Sequence, residues 1–263
     1  MIPWVLPTVS ALQAKIPTST VKDLAKANHL IRMLKEAGSI GMRIHPHTNP
    51  SWIAHHDGSW CSRADLGSQG GYLVCLADSE VLDGQVAKFS PMSWANKKLK
   101  RVCRSSLACE VQAGAEALEE LEVLRLLYAE ATEGGLNLTD PKSHFRSGPH
   151  AVLVTDCKSM YDALSSSASS LLGLSDKRSA VEALAMKEAM EDANCEQRWV
   201  HSQAQLGDSL TKESVEASRL MMTFLKEGKW RIAHDPKFES ARKRAKAGLK
   251  ILEADGDAEM AAT

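Results

Sequence analysis

Apolar positions along the chain recur with two different periods. From Val21 to Ala37 they fall at Leu24, Ala27, Leu30, Ile31 and Leu34, the spacing of one helical face, with Gly38 and Gly41 following as stops. Residues 1–50 therefore read as helices with a polar turn. Ser51–Trp60 predicts a first strand, Gly70–Leu76 a second after a polar turn, and Gln85–Trp94 a third whose end Pro91 weakens. Their spacing fits two antiparallel hairpins. Ser105–Ala131 predicts the longest helix, with Glu110, Ala113, Gly114, Ala117, Leu121 and Leu124 on one face. The small residues at 113, 114 and 117 let that face approach a sheet closely. Gly134–Pro149, rich in Gly, Pro, Ser and Asn, reads as a loop.

Beyond it the elements alternate. Val152–Asp156 predicts a short buried strand, Ser159–Leu164 a short helix, Ser165–Ser170 a serine-rich turn and Ser175–Ala193 another helix. Glu196–His201 predicts the last strand. The chain is expected to be helical from Leu206, with Asp208 in the first turns, where the helix dipole favours a negative charge. Strands that come first in hairpins and then alternate with helices imply an α/β fold: a mixed five-stranded sheet flanked by helices, with helical extensions at both ends.

The chain has 263 residues, which allows one large domain or one domain with appendages. At 44% hydrophobic residues it has enough to bury a core. A formal net charge of −1 does not advertise nucleic-acid binding, so any basic surface has to be local. Lys97, Lys98, Lys100, Arg101 and Arg104 form one such cluster, and Arg242, Lys243, Arg244 and Lys246 another. Each also fits an ordinary solvated loop or helix end. No apolar run is long enough to cross a membrane, and Met1–Pro7 lacks a basic stretch and contains prolines, a poor signal peptide. The six cysteines are scattered without a Cys-x-x-Cys pair, which suits free thiols in a reducing, intracellular compartment, cytoplasm or nucleus. His45, His47, His55 and His56 lack the Cys or carboxylate spacing that completes a zinc site.

Four acidic residues carry the candidate chemistry. Asp57 lies in His56-Asp57-Gly58-Ser59-Trp60, and Glu110 in Ser105-Ser106-Leu107-Ala108-Cys109-Glu110. Asp156 ends Ala151-Val152-Leu153-Val154-Thr155, and Asp208 opens Asp208-Ser209-Leu210-Thr211-Lys212. Each has an ordinary alternative. Asp57 with Gly58 and Ser59 makes a good turn. Glu110 fits a solvated helix face, although it shares its stripe with Ala113, Ala117 and Leu121, and a carboxylate on a buried face needs a partner or a metal. Asp156 suits a helix cap, but also the carboxyl end of a strand, where open α/β sheets place ligands. The dipole alone accounts for Asp208. Carboxylates gathered in one pocket repel one another and are tolerated when divalent cations neutralise them.

The motifs and their order resemble the ribonuclease H domain at the end of copia-type retrotransposon polyproteins. Asp57-Gly58-Ser59 followed by Gly70-Gly71-Tyr72 is similar to that family's first strand and hairpin. Ser105-Ser106 with Glu110 and Ala113 is similar to its first-helix motif, Thr155-Asp156 to the strand bearing the third carboxylate, and Asp208 through Leu210-Thr211-Lys212 to its ending. The resemblance runs from about Ser51 to Lys212. It divides the chain into a segment 1–50 resembling the end of a reverse transcriptase, a ribonuclease H-like domain over 51–212, and a helical basic extension over 213–263.

The resemblance implies a nuclease that hydrolyses the RNA strand of an RNA–DNA hybrid. Asp57, Glu110, Asp156 and Asp208 would hold two Mg²⁺ or Mn²⁺ ions, hard cations suited to oxygen ligands. RNA would be told from DNA through its 2′-hydroxyls. His201 is the candidate for product release or proton shuttling, with a structural role as the alternative. The His that the copia-type pattern carries before a helix is absent from Ser175–Ser179, and Ser59 replaces its second Asp. No Asp-Asp pair is present, so the polymerase motif of a reverse transcriptase is missing and the chain looks like the C-terminal piece of a longer polyprotein. Two rivals stand beside this reading. One is a decayed or domesticated fragment that binds nucleic acid or a protein without cutting. The other is an integrase or proofreading exonuclease of the same fold, although an integrase would carry its Glu late in the chain.

Overall fold

The structure, a computed structural model, describes residues 2–38, 40–166 and 176–232, together with Lys246 and Gly248. Most of the serine-rich turn and of the basic cluster at 242–246 lies outside the described residues.

The N-terminal segment begins with a 3₁₀ turn, Pro3–Val5, and two helices, α1 (Leu6–Ala14) and α2 (Val21–Ala37). Thr20 and Asp23 cap α2 reciprocally. The Thr20 hydroxyl accepts from the Asp23 amide, and the Asp23 carboxylate accepts from the Thr20 amide at 3.0 Å. Residues 40–49 contain no helix, so the expectation of helices throughout 1–50 holds only for its first three quarters.

Three antiparallel strands follow: β1 (Pro50–Ser59), β2 (Gln69–Asp78) and β3 (Ala87–Lys98). Pro91 sits inside β3 rather than ending it. The register slips there, with Cys75 opposite Pro91 and Val74 opposite Ser93, which leaves Met92 as an extra residue. A bulge is one of the few places in a strand that tolerates a residue without an N–H. The long helix α3 (Ser106–Glu133) is capped by the Ser105 hydroxyl, which accepts from the Ala108 amide at 3.1 Å.

The stretch expected to be a loop contains a short helix, α4 (Ser143–Ser147). A tertiary anchor holds it there. The buried Arg125 of α3 donates to the carbonyls of Phe145 at 2.7 Å, Pro149 at 3.2 Å and Ala193, with its guanidinium 4.7 Å from the Phe145 ring. Then come β4 (Ala151–Thr155), α5 (Lys158–Ser165), α6 (Lys177–Asp192) and β5 (Cys195–Trp199). The helix expected from Leu206 onward is broken in two, α7 (Asp208–Thr211) and α8 (Val215–Glu227), with extended backbone at Lys212 between them. A two-residue strand, β6 (Lys229–Trp230), closes the described C-terminal part.

The strand order is β5-β4-β1-β2-β3-β6, with β4 and β5 parallel to β1 and the rest antiparallel. This is the expected mixed sheet flanked by helices with one correction: it has six strands, not five. The sixth comes from the extension predicted to be helical, where Trp230 pairs opposite Ala87 and buries its ring edge-on against Phe224 at 5.8 Å. Alternation along β1 sends Trp52 and Ala54 to the face covered by α3, α5 and α6. Ile53 faces the opposite core, shared with Leu206, Leu210, Phe224 and Trp230. Trp4, Val5 and Leu6 are buried in that second core, so the N-terminal segment packs as part of the same body.

Candidate metal centre

Adjacent β1 and β4 run parallel, so their ends lie side by side. Asp57 lies near the end of β1, Asp156 immediately after β4, and Glu110 in the second turn of α3. The three carboxylates converge: one oxygen from each lies within 4.8 Å of the others. Asp57 and Glu110 are buried and Asp156 is half-buried. Neither the turn reading of Asp57 nor the solvated reading of Glu110 survives. Asp57 is within a paired strand, opposite Gly71, and Glu110 faces inward.

Two close approaches make this convergence geometrically available. A Cβ on Gly58 would lie 2.8 Å from the Cys109 carbonyl carbon and oxygen and 2.9 Å from the Glu110 nitrogen. A Cβ on Gly207 would lie 2.8 Å from the His56 carbonyl carbon and 3.1 Å from the Asp57 nitrogen. The backbones of α3 and of the turn before α7 therefore both press on the Asp57 segment, and only glycine fits. The Gly58 amide also donates to Glu110 Oε2 at 3.1 Å. Gly58→Ala is expected to push α3 away from β1, separating Glu110 from Asp57. It should lower divalent-cation affinity more than it lowers the melting temperature; equal cation affinity in the variant and wild type would show that the contact does not set the site.

The fourth predicted acid, Asp208, is at the start of α7 and is not one of the three converging carboxylates. It belongs to the same electrostatic neighbourhood, with Lys212 between it and Asp57. Lys212 Nζ lies 2.7 Å from Asp208 Oδ1 and 3.2 Å from Asp57 Oδ1. The Thr211 hydroxyl donates to the other Asp57 oxygen. Asn96 at the end of β3 donates to the Leu210 carbonyl, and this ties α7 to the sheet.

Charge crowding is visible in the acids. Burial, then the charges of Asp57 and Asp156, push Glu110 well above the usual carboxylate range. Burial and the Asp57 charge raise Asp156. Burial, then Asp57 and Asp156, push Asp208 up to about 8. Burial works against the charge on Lys212, but Asp57 and Asp208 outweigh it and raise the ammonium's pKa. A pocket whose acids resist ionisation beside one retained ammonium is an oxygen-donor site short of positive charge, and it fits a hard divalent cation.

Sequence reasoning missed a buried amide that frames the site. Gln205 Nε2 donates to the carbonyls of His56 at 3.0 Å and Val154 at 3.1 Å, and its Oε1 accepts from the Gly207 amide at 3.2 Å. The same Oε1 is 2.8 Å from His55 Nδ1. With the amide orientation set by the two carbonyls, His55 carries its proton on Nδ1. Gln205 thus joins β1, β4 and the turn leading to Asp208. Burial depresses both His55 and His56 to about 4, so they stay neutral and do not compete with a cation. His201 is buried just past β5, where its carbonyl accepts from the Ala204 amide at 2.8 Å; it is not part of the converging group. His47 lies 2.9 Å from Asp78 and 2.8 Å from Ser90, away from the acids.

The basic run that begins in the last residues of β3 lies at the same end of the sheet. Gly70 is opposite Gly58 on one side and Lys97 on the other. Lys97 pairs with Glu116 at 3.1 Å, Lys98 with Asp65 at 2.6 Å and Arg101 with Glu182 at 3.1 Å, all partly exposed.

No protein-family model matches the chain, and no curated protein matches it in sequence. Three solved structures to which it is similar are of ribonuclease H proteins or contain a reverse transcriptase. RNase H1 from the halophilic archaeon Halobacterium salinarum NRC-1 is 14% identical, over 57% of this chain and 84% of that one, with a TM-score of 0.34. The RNase H domain of PFV is 12% identical, over 68% and 94%, with a TM-score of 0.34. The protease-reverse transcriptase of prototype foamy virus is 8% identical, over 71% of this chain and 21% of that one, with a TM-score of 0.38.

Proposed function

We propose that this chain is a metal-dependent ribonuclease H that hydrolyses the RNA strand of RNA–DNA hybrids. The observation that carries the reading is the convergence of Asp57, Glu110 and Asp156 from a strand, a helix and a second strand end onto one point of a mixed sheet. Their motifs are those through which the sequence resembles ribonuclease H. Asp57, Glu110 and Asp156 would hold a first Mg²⁺ or Mn²⁺, and Asp208 with Asp57 would hold a second. Such ions supply activation of a water and stabilisation of the leaving oxygen in phosphodiester hydrolysis. The chain's part is to hold four carboxylates in place with rigid supports: Gly58 and Gly207 for close approach, Gln205 for the strand ends, Thr211 for Asp57. Lys97, Lys98, Lys100, Arg101 and Arg104 are the candidates to hold a hybrid's phosphates, contacts that position the substrate and carry no sequence information.

The copia-type origin rests on the Ser105-Ser106-x(3)-Glu110 motif and the Asp208–Lys212 ending, which the structure uses as a helix cap and as a support of Asp57. On the same reading the N-terminal segment is the tail of a reverse transcriptase, and the native context is a longer polyprotein. The complete set of four acids, with hydrogen bonds holding the side chains of Asp57, Glu110 and Asp208, favours an active enzyme over a decayed binding module.

The test is cleavage of a strand-labelled RNA–DNA hybrid. Hydrolysis should require Mg²⁺ or Mn²⁺, stop with excess chelator, and spare single-stranded RNA and duplex DNA. Full activity in chelator would refute the metal mechanism, and equal cutting of duplex DNA would refute the substrate assignment.

A further inference from the structure

Lys212 is the residue in the pocket to which the metal reading gives no role. Its ammonium bridges Asp57 Oδ1 at 3.2 Å and Asp208 Oδ1 at 2.7 Å, between the two carboxylates that would hold the second ion. Its backbone is placed for this. Thr211 ends α7, Lys212 takes extended backbone at φ −115°, and the side chain returns along the helix to the acid four residues earlier. The side chain is 40% exposed, whereas those of its two partners are 1% and 13% exposed. The lysine therefore stands at the mouth of the pocket with a path to solvent, while the carboxylates cannot move out. In a protein whose other acids crowd the same space, an ammonium on a flexible stem is a tethered positive charge that a divalent ion can replace.

We propose that Lys212 is an internal counter-ion that occupies the second cation position, between Asp57 and Asp208. The free protein accordingly takes one divalent ion readily, at Asp57, Glu110 and Asp156, and the second only by displacing the lysine. This inference rests on the metal-centre reading above. Two consequences follow from electrostatics. Lys212 stabilises the metal-free pocket by offsetting carboxylate repulsion, and it weakens the second ion's binding by having to be driven out, with the displaced ammonium left in solvent at the pocket mouth.

Mn²⁺ binding counted by electron paramagnetic resonance, without nucleic acid, tests this on the full chain. Wild type is expected to bind one Mn²⁺ in a first phase and a second at a concentration about tenfold higher or more, the size of effect that one nearby charge produces. Lys212→Gln should bring the second phase down by about tenfold, towards the first, and should lower the melting temperature in chelator but not in saturating Mn²⁺. Lys212→Arg, which retains the charge, should keep both phases apart. Identical Mn²⁺ isotherms for wild type and Lys212→Gln would overturn the counter-ion role while leaving the metal centre standing. An absence of Mn²⁺ binding in every variant would overturn the metal-centre reading, and this proposal with it.

Discussion

Replacing Asp57 by Asn, Glu110 by Gln or Asp156 by Asn is expected to lower hybrid cleavage at least about 1,000-fold in each case, since cation stabilisation of the transition state is worth several kcal/mol and about 4 kcal/mol is that factor in rate. The amides keep the shape of the side chains but remove the charge that holds the ion. The same changes separate a functional from a structural role through stability in chelator. Glu110 and Asp156 have folded-state pKa values raised above their unfolded values, so the folded protein binds more protons between the two. Their contribution is nil at low pH, becomes destabilising as pH climbs from the unfolded towards the folded pKa, and is fully destabilising above the folded pKa. Glu110→Gln and Asp156→Asn should therefore raise metal-free stability, most at the alkaline end. Asp57 differs, because Thr211 and Lys212 bind its carboxylate. Asp57→Asn should bring little or no gain. Denaturant midpoints at pH 6 and pH 8 in chelator check this, and loss of folding in the Glu110 and Asp156 variants would mark those residues as structural.

The parts of this site that were legible in the sequence are those whose chemistry is local. Glu110 announced itself because it shares a helical stripe with Ala113 and Ala117, and that stripe is buried against the sheet. Asp156 was legible as the polar end of an apolar run, the run that became β4. What was not legible depends on long-range contacts. Nothing near Gln205 reveals that its amide meets His55, His56 and Val154, about 50 to 150 residues earlier. Lys212 reads as an ordinary lysine after a helix until the backbone turns its ammonium towards Asp57. The break at Lys212 that splits the expected helix into α7 and α8 has no proline or glycine to mark it. Similarly, β6 is only two residues long, and its pairing with Ala87 and Lys88 is decided by burial of Trp230 rather than by any periodicity. Gly58 and Gly207 look like turn residues, yet what they supply is room for neighbouring backbones.

Gln205→Leu is expected to cost about 2–4 kcal/mol of folding stability, the range for breaking a buried hydrogen-bond network. Leucine matches the volume of the buried glutamine but satisfies none of its four partners. The carbonyls of His56 and Val154, the Gly207 amide and His55 Nδ1 would be left buried without it. His55 cannot escape by ionising, because burial already holds its pKa down to about 4. The damage should also reach the metal centre. The Gly207 amide that Gln205 anchors immediately precedes Asp208, and the His56 carbonyl immediately precedes Asp57. Both proposed ligands to the second ion thus hang from one side chain. Mn²⁺ titration of the folded variant, below its unfolding transition, should show the second ion weakened more than the first, since Glu110 reaches the pocket from α3, an element outside the Gln205 network. A wild-type denaturation midpoint would refute the network's energetic role. A lowered midpoint with unaltered binding of both ions would confine Gln205 to stability and separate the fold's support from the site's.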